Sequence, residues 1–179
     1  MDGMQAKKRV LYPGTFDPIT NGHISLIQRG LDVFDQVLVA VAKDTPKTTL
    51  FTLEERVAFI RSSFPNEERV LVEPYSGLTV AFALKRGACA LLRGLRAVSD
   101  FEYEMQLALM NRRLERKLQT IFLMTDYRWL YISSTVIKTA AAQGASVKGL
   151  VPEIVRKALA EKFPTVPVDC DQLVHAGRC

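Results

Sequence analysis

The sequence predicts an α/β protein built on an open parallel sheet, and three observations carry that prediction. Short β-rich runs alternate with helical patterns almost throughout, the order of repeated βα units. The β-rich runs are nearly continuously apolar, as strands buried on both faces must be. The most distinctive chemistry falls after strands one, two and four and at the helix after strand five. That is the end of an open sheet where ligands collect. The expected architecture is a Rossmann-like sheet of five parallel strands, order 3-2-1-4-5, with helices on both faces.

In chain order, the strands are read at Val10–Tyr12, Val37–Ala42, Val70–Val72, Ala90–Leu92 and Ile121–Met124. The helices are read at Gly22–Val33, Leu53–Ser63, Thr79–Arg86, Asp100–Lys117, Ser133–Ala142 and Pro152–Lys162. Two helix starts carry capping boxes, Thr52 with Glu55 and Ser99 with Glu102, which gives those hydroxyls structural work. Arg112, Arg113, Arg116 and Lys117 end the fourth helix, where cations complement the macrodipole. Past Phe163, Pro164-Thr165-Val166-Pro167 breaks any helix. One domain over residues 1–163 and a loosely ordered tail over 164–179 are expected.

Composition excludes several classes. With 48% apolar and 24% charged residues, the 179-residue chain has the balance of a soluble globular protein. No apolar run is long enough to span a bilayer, and the charged N-terminus lacks the apolar stretch of a signal peptide. A cytoplasmic protein without a membrane partner is the expectation, with Met4 a second candidate start. Cys89, Cys170 and Cys179 lack metal-ligand spacing. Cys89 reads as a small buried residue. The net charge of +5 suits polyanionic partners. No arginine-rich run interleaves with aromatics, so a nucleic-acid partner is not expected.

The chemistry lies in a few segments. Gly14-Thr15-Phe16-Asp17-Pro18-Ile19-Thr20-Asn21-Gly22-His23 joins the first strand to a helix whose opening turn carries His23. Asp17-Pro18 reads as turn chemistry. A lone helical histidine is ordinarily structural, but Thr-x-Gly-His, with Gly22 admitting a ligand, favours donation to a phosphate. Ile132-Ser133-Ser134-Thr135 opens another helix with three hydroxyls. They could merely cap it, yet hydroxyls beside free N–H groups also suit β- and γ-phosphates. Lys47 lies in a polar connection after strand two, where most lysines are only solvated. Arg93-Gly94-Leu95-Arg96 follows strand four and offers two guanidinium forks around a close-approach glycine. Glu104, on the next helix, reads as an exposed acid or as an orienting partner. Phosphate-loop, dinucleotide, nucleophile-elbow and metalloprotease motifs are missing from the sequence.

With those segments in view, the chain resembles the bacterial phosphopantetheine adenylyltransferase family over roughly Arg9 to Phe163. The Thr-x-Gly-His and Ile-Ser-Ser-Thr strings mark only the wider nucleotidyltransferase group. Phe-Thr-Leu-Glu-Glu-Arg at 51–56 matches as well, and the long Arg-Gly-Leu-Arg-Ala-Val-Ser-Asp-Phe-Glu-Tyr-Glu segment at 93–104 is specific to the family. The resemblance implies transfer of the adenylyl group from ATP to 4′-phosphopantetheine, giving dephospho-coenzyme A and pyrophosphate. It implies ATP contacts at Thr15, Phe16, His23, Gly94, Leu95, Arg96 and Glu104. It adds Trp129, Leu130, Tyr131, Ile132, Ser133, Ser134 and Thr135. Thr15, Lys47, Arg93 and the Thr79 backbone would contact phosphopantetheine. His23 would stabilise the transition state, Mg²⁺ would be the cofactor, and a homohexamer with coenzyme A as feedback inhibitor is expected. The Asp44-Thr45-Pro46 approach to Lys47, and Thr125-Asp126-Tyr127-Arg128 before Trp129, depart from the family pattern.

The missing nucleophile fits this reading, because the acceptor phosphate is itself an anion that can attack the α-phosphorus. His23, Lys47 and Arg96 are the expected catalytic residues, with no protein metal ligand. A transferase acting on nicotinamide mononucleotide or glycerol phosphate is the nearest rival. A non-catalytic nucleotide or nucleic-acid binder is the rival from another class.

Overall fold

The computed structural model describes residues 7–45 and 48–164, with backbone alone at 98 and 99. Five parallel strands form one sheet: β1 (Arg9–Gly14), β2 (Gln36–Ala42), β3 (Val70–Tyr75), β4 (Ala90–Leu95) and β5 (Gln119–Met124). Their order is β3-β2-β1-β4-β5, as expected. Six α-helices accompany them: α1 (Asn21–Leu31), α2 (Leu53–Ser62), α3 (Thr79–Lys85), α4 (Val98–Leu114), α5 (Ser134–Ala142) and α6 (Glu153–Lys162). A short 3₁₀ turn at Tyr127–Trp129 was not expected from the sequence.

Alternation along each strand sends side chains into two cores. Val10, Val37, Val39 and Leu92 pack with Leu26 and Ile27 of α1, Ile60 of α2, Ile137 of α5 and Val155 of α6. Leu11, Leu38, Ala40 and Leu91 pack on the other face with Val80 and Ala83 of α3. Each such valine, leucine or isoleucine side chain, fully buried, contributes about 1.5–3 kcal/mol. Lys47 and the tail from 165 onward, including Cys170 and Cys179, lie outside the described residues.

Four local readings are corrected. β4 runs on through Arg93, Gly94 and Leu95, which pair in register with Phe122, Leu123 and Met124 of β5. The Arg-Gly-Leu segment is therefore strand, not the loop after it; a charged residue and a glycine disguised its continuation. α4 starts at Val98 with Ala97 as its N-cap, so Ser99 sits inside the first turn. The same helix ends at Leu114, which leaves Arg116 and Lys117 in the following connection. Cys89 is exposed, because its neighbours Ala88 and Ala90 take the buried positions on either side.

Candidate active site

The site begins where two strands part. β1 and β4 pair only at Val10 with Ala90 and Leu11 with Leu91. β1 then continues along β2 as far as Gly14, and β4 along β5 as far as Leu95. This fork is the switch in strand order, where an open parallel sheet offers a crevice at the carboxyl ends of its strands. A cavity of about 310 Å³ opens from it, bounded by His23 and Leu26 of α1, Trp129, and the hydroxyl residues that open α5. A second, of about 330 Å³, is bounded by Tyr75, Thr79 of α3, and Leu107, Ala108 and Asn111 of α4. Pro13, Gly14, Thr15, Arg93 and Glu104 line both.

His23 is locked by its own helix start. Thr20 is the N-cap of α1, and its main-chain N–H donates to His23 Nδ1 over 3.0 Å. Its Oγ1 accepts from the His23 N–H over 3.4 Å, completing a capping box with histidine in the place usually held by Glu or Gln. An Nδ1 that accepts must carry no proton, so the neutral ring carries its proton on Nε2. Burial, with the Arg96 charge second, pushes the His23 pKa down to about 4. At neutral pH the ring is an uncharged donor set in the cavity wall. The ring thus has structural work at Nδ1, and its Nε2 proton remains to donate.

The β1–α1 loop is fastened from below. Asp17, almost wholly buried, accepts from the N–H groups of Leu50 at 3.0 Å and Phe51 at 2.9 Å. It also pairs with Lys138 of α5 at 2.5 Å. Arg56, equally buried on α2, donates from Nη1 to the Thr15 carbonyl at 2.7 Å and the Ala42 carbonyl at 3.0 Å. Asp17 thus does far more than the turn chemistry expected of it. Phe16 sits at φ 51°, a left-handed backbone that costs a non-glycine residue about 1–3 kcal/mol. Its ring lies against Gly14, where a Cβ would stand 2.9 Å from the ring carbons, and meets the His23 ring edge-to-face at 5.2 Å.

On the opposite wall, Arg93 makes a two-pronged pair with Glu104, Nε at 2.6 Å and Nη2 at 2.5 Å, and donates to the Pro13 carbonyl at 3.1 Å. Burial works against its charge, but the Glu104 pair prevails and the Arg93 pKa is raised. Arg96, more exposed, pairs with Asp100 at 3.1 Å and donates to the Ile132 carbonyl at 3.2 Å. It therefore ties the end of β4 to the start of α5.

Most of the sequence-predicted residues meet here. Thr15, Phe16, His23, Arg93, Gly94, Arg96 and Glu104 all line the first cavity, as do Trp129 and Ile132 through Thr135. Thr79 lines the second. Leu95 is buried within β4 and lines neither, while Leu130 and Tyr131 are exposed beside the first cavity without lining it. Two of the three hydroxyls already have partners. Ser133 caps α5 by accepting from the Val136 N–H at 3.1 Å, and Ser134 donates to the Pro18 carbonyl at 2.8 Å. Ser133 keeps its own O–H as a free donor direction. Sequence reasoning missed Tyr12, Thr125, Asn111, Arg56 and Lys138. Thr20 was recoverable, since a hydroxyl three residues before His23 has the spacing of a capping box.

The chain is matched over residues 11–140 by the cytidylyltransferase-like family model. The phosphopantetheine adenylyltransferase of Nitratidesulfovibrio vulgaris is 63% identical over 156 residues, 87% of this chain and 84% of that protein. That of Oleidesulfovibrio alaskensis is 62% identical, covering 87% of this chain and 92% of its own. That of Syntrophus aciditrophicus is 52% identical over 158 residues, 88% and 96% of the two chains. A crystal structure of the lipopolysaccharide core biosynthesis protein from Thermoplasma volcanium superposes with a TM-score of 0.51 at 20% identity. It covers 67% of this chain and 98% of its own, a likeness of fold alone. By sequence over most of its length, with a fold that agrees, the chain belongs to the phosphopantetheine adenylyltransferase family.

Proposed function

We propose that this protein transfers the adenylyl group of ATP to 4′-phosphopantetheine, releasing pyrophosphate and dephospho-coenzyme A, a step of coenzyme A biosynthesis. The observation that carries the reading is the pair of cavities that meet at Thr15 and Arg93. Two substrates held on either side of one shared wall can bring a phosphate oxygen of one against the α-phosphorus of the other.

In this reading ATP takes the first cavity, and the acceptor takes the second, where Leu107 and Ala108 offer an apolar flank to an uncharged arm. An acceptor phosphate oxygen attacks the α-phosphorus, and the bond from that phosphorus to the bridging oxygen of pyrophosphate breaks. Both groups already carry negative charge, so no proton has to be removed from a nucleophile. The protein supplies alignment and fixed donors. His23 donates from Nε2 to the α-phosphate, while Arg96 and Lys47 neutralise charge that builds on the phosphates. Arg93, oriented by Glu104, holds the acceptor phosphate. Among the described residues no group of three or more His, Cys, Asp or Glu side chains could hold a metal ion. In this reading Mg²⁺ would come with the triphosphate and lower the repulsion between anions.

Three further parts of the reading rest on surfaces. α4 has no buried residue among its described side chains, and Tyr103, Leu109, Met110 and Leu114 are more than half exposed. A bare apolar helix face of that kind supports assembly, and a homohexamer is the form proposed. Coenzyme A, sharing the acceptor's arm and the product's nucleotide, would compete at the same two cavities as feedback inhibitor. Among the described residues no helix is long and apolar enough to cross a membrane; a cytoplasmic location is part of the proposal.

Pyrophosphate release measured across a panel of acceptors tests the assignment. The reading expects release with 4′-phosphopantetheine and none with nicotinamide mononucleotide or glycerol phosphate. Release with either of those instead would reassign the acceptor.

A further inference from the structure

Tyr12 is the first residue of β1 beyond the short ladder to β4, so it stands at the mouth of the fork. Its ring is nine-tenths buried, edge-to-face with Phe16 at 5.2 Å and 6.4 Å from the His23 ring, and it lines the first cavity. Among the described residues its hydroxyl has no hydrogen-bond partner. It is also absent from the fully enclosed polar atoms left unpaired, which are Arg56 Nε and Arg86 Nε. The charges that act on the hydroxyl are Arg93, Arg96 and Glu104, all on the wall of the same cavity.

The hydroxyl therefore reaches the cavity, where it has no protein partner to bond, and phenylalanine would pack the ring's site equally well. We infer that Tyr12 is a ligand-binding residue whose hydroxyl donates a hydrogen bond to a phosphoryl oxygen of the bound nucleotide, between Arg93 and Arg96. The inference deepens the proposed function and rests on ATP occupying the first cavity. The positive surroundings select an anionic oxygen over a base or sugar edge. Burial raises the phenol's pKa, so it remains a proton donor throughout the neutral and mildly alkaline range.

The Tyr12→Phe variant removes the hydroxyl and keeps the ring. Melting temperature without ligand, ATP affinity by calorimetry, and kcat/KM should be measured on it beside wild type. The expected result is an unliganded melting temperature equal to or above wild type, with ATP affinity or kcat/KM reduced about 10- to 100-fold, the worth of a hydrogen bond to a charged partner. A less than fivefold change in both ligand readouts overturns the inference. So does a clear drop in the unliganded melting temperature, which would mark the hydroxyl as a structural group. Wild-type protein that binds ATP but adenylylates no acceptor would sink the proposed function, while the affinity comparison would still decide the role of Tyr12.

Discussion

The main-chain N–H of Thr20 donates to Nδ1 of His23, so a helix cap decides which ring nitrogen carries the proton. With Nδ1 occupied as an acceptor, the neutral ring can only donate from Nε2. Replacing His23 with alanine removes that donor and should lower kcat about 100- to 1,000-fold, the usual loss for one preorganised donor to a developing oxyanion. Steady-state kinetics on a folded variant checks this. A kcat within a few-fold of wild type would remove His23 from the mechanism.

The depressed pKa of His23 also makes a statement about stability. The folded state resists a proton that the unfolded chain accepts near pH 6.5, so its contribution is complete above that pH. It is lost as the pH falls toward about 4, where the folded ring is finally protonated. Urea midpoints measured from pH 7 to pH 4 should therefore fall more steeply for wild type than for His23→Gln. Parallel slopes would mean that the ring is not held neutral.

Glu104 orients Arg93 through two hydrogen bonds. In Glu104→Ala the partly buried guanidinium loses its partner, and stability should drop by roughly 1–3 kcal/mol. The KM for phosphopantetheine should rise as the arginine swings free. Arg93→Lys should show the same KM effect, because a lysine cannot make the two-pronged contact. Denaturant unfolding and initial rates separate the two consequences; unchanged values in both would refute the orienting role.

Asp17 gathers segments that are far apart in sequence: Leu50, Phe51 and Lys138. Asp17→Ala leaves two amide N–H groups and an ammonium without their shared acceptor. A loss of about 2–3 kcal/mol in unfolding free energy is expected. If the loss is only a few tenths, the loop is held by something else.

Gly94 lets β4 pass close to α1, since a Cβ there would stand 2.9 Å from the Leu26 side chain. That leucine lies one turn after His23. Gly94→Ala should press the helix outward and lower kcat about tenfold or more with little change in fold, because misplacement of about 1 Å can cost about a hundredfold. Kinetics beside a circular dichroism spectrum would decide it.

How much of this was legible in the sequence varies with the range of the interaction. Apolar runs alternating with amphipathic ones carried the parallel sheet, while its strand order was read from the need to bring the Thr15 and Arg93 segments to one crevice. Strand ends were less legible: Arg93 and Gly94 look like loop, and only the ladder to Phe122 and Leu123 makes them strand. The cavity-lining residues showed themselves where their chemistry was concentrated, as in Thr15 to His23 and Ser133 to Thr135. Asp17, Arg56 and Lys138 act through partners tens to more than a hundred residues away, which no window of sequence displays. Tyr12 read as one more apolar strand position; only its unpaired hydroxyl, seen in the folded chain, sets it apart.

The central claim concerns one phosphorus atom. ATP radiolabelled at the α-phosphorus, incubated with the protein, Mg²⁺ and 4′-phosphopantetheine, follows it directly. The account predicts label in dephospho-coenzyme A, unlabelled pyrophosphate released in equal amount, and loss of both in His23→Ala. Label confined to ATP and AMP, with none in the coenzyme product, would contradict it.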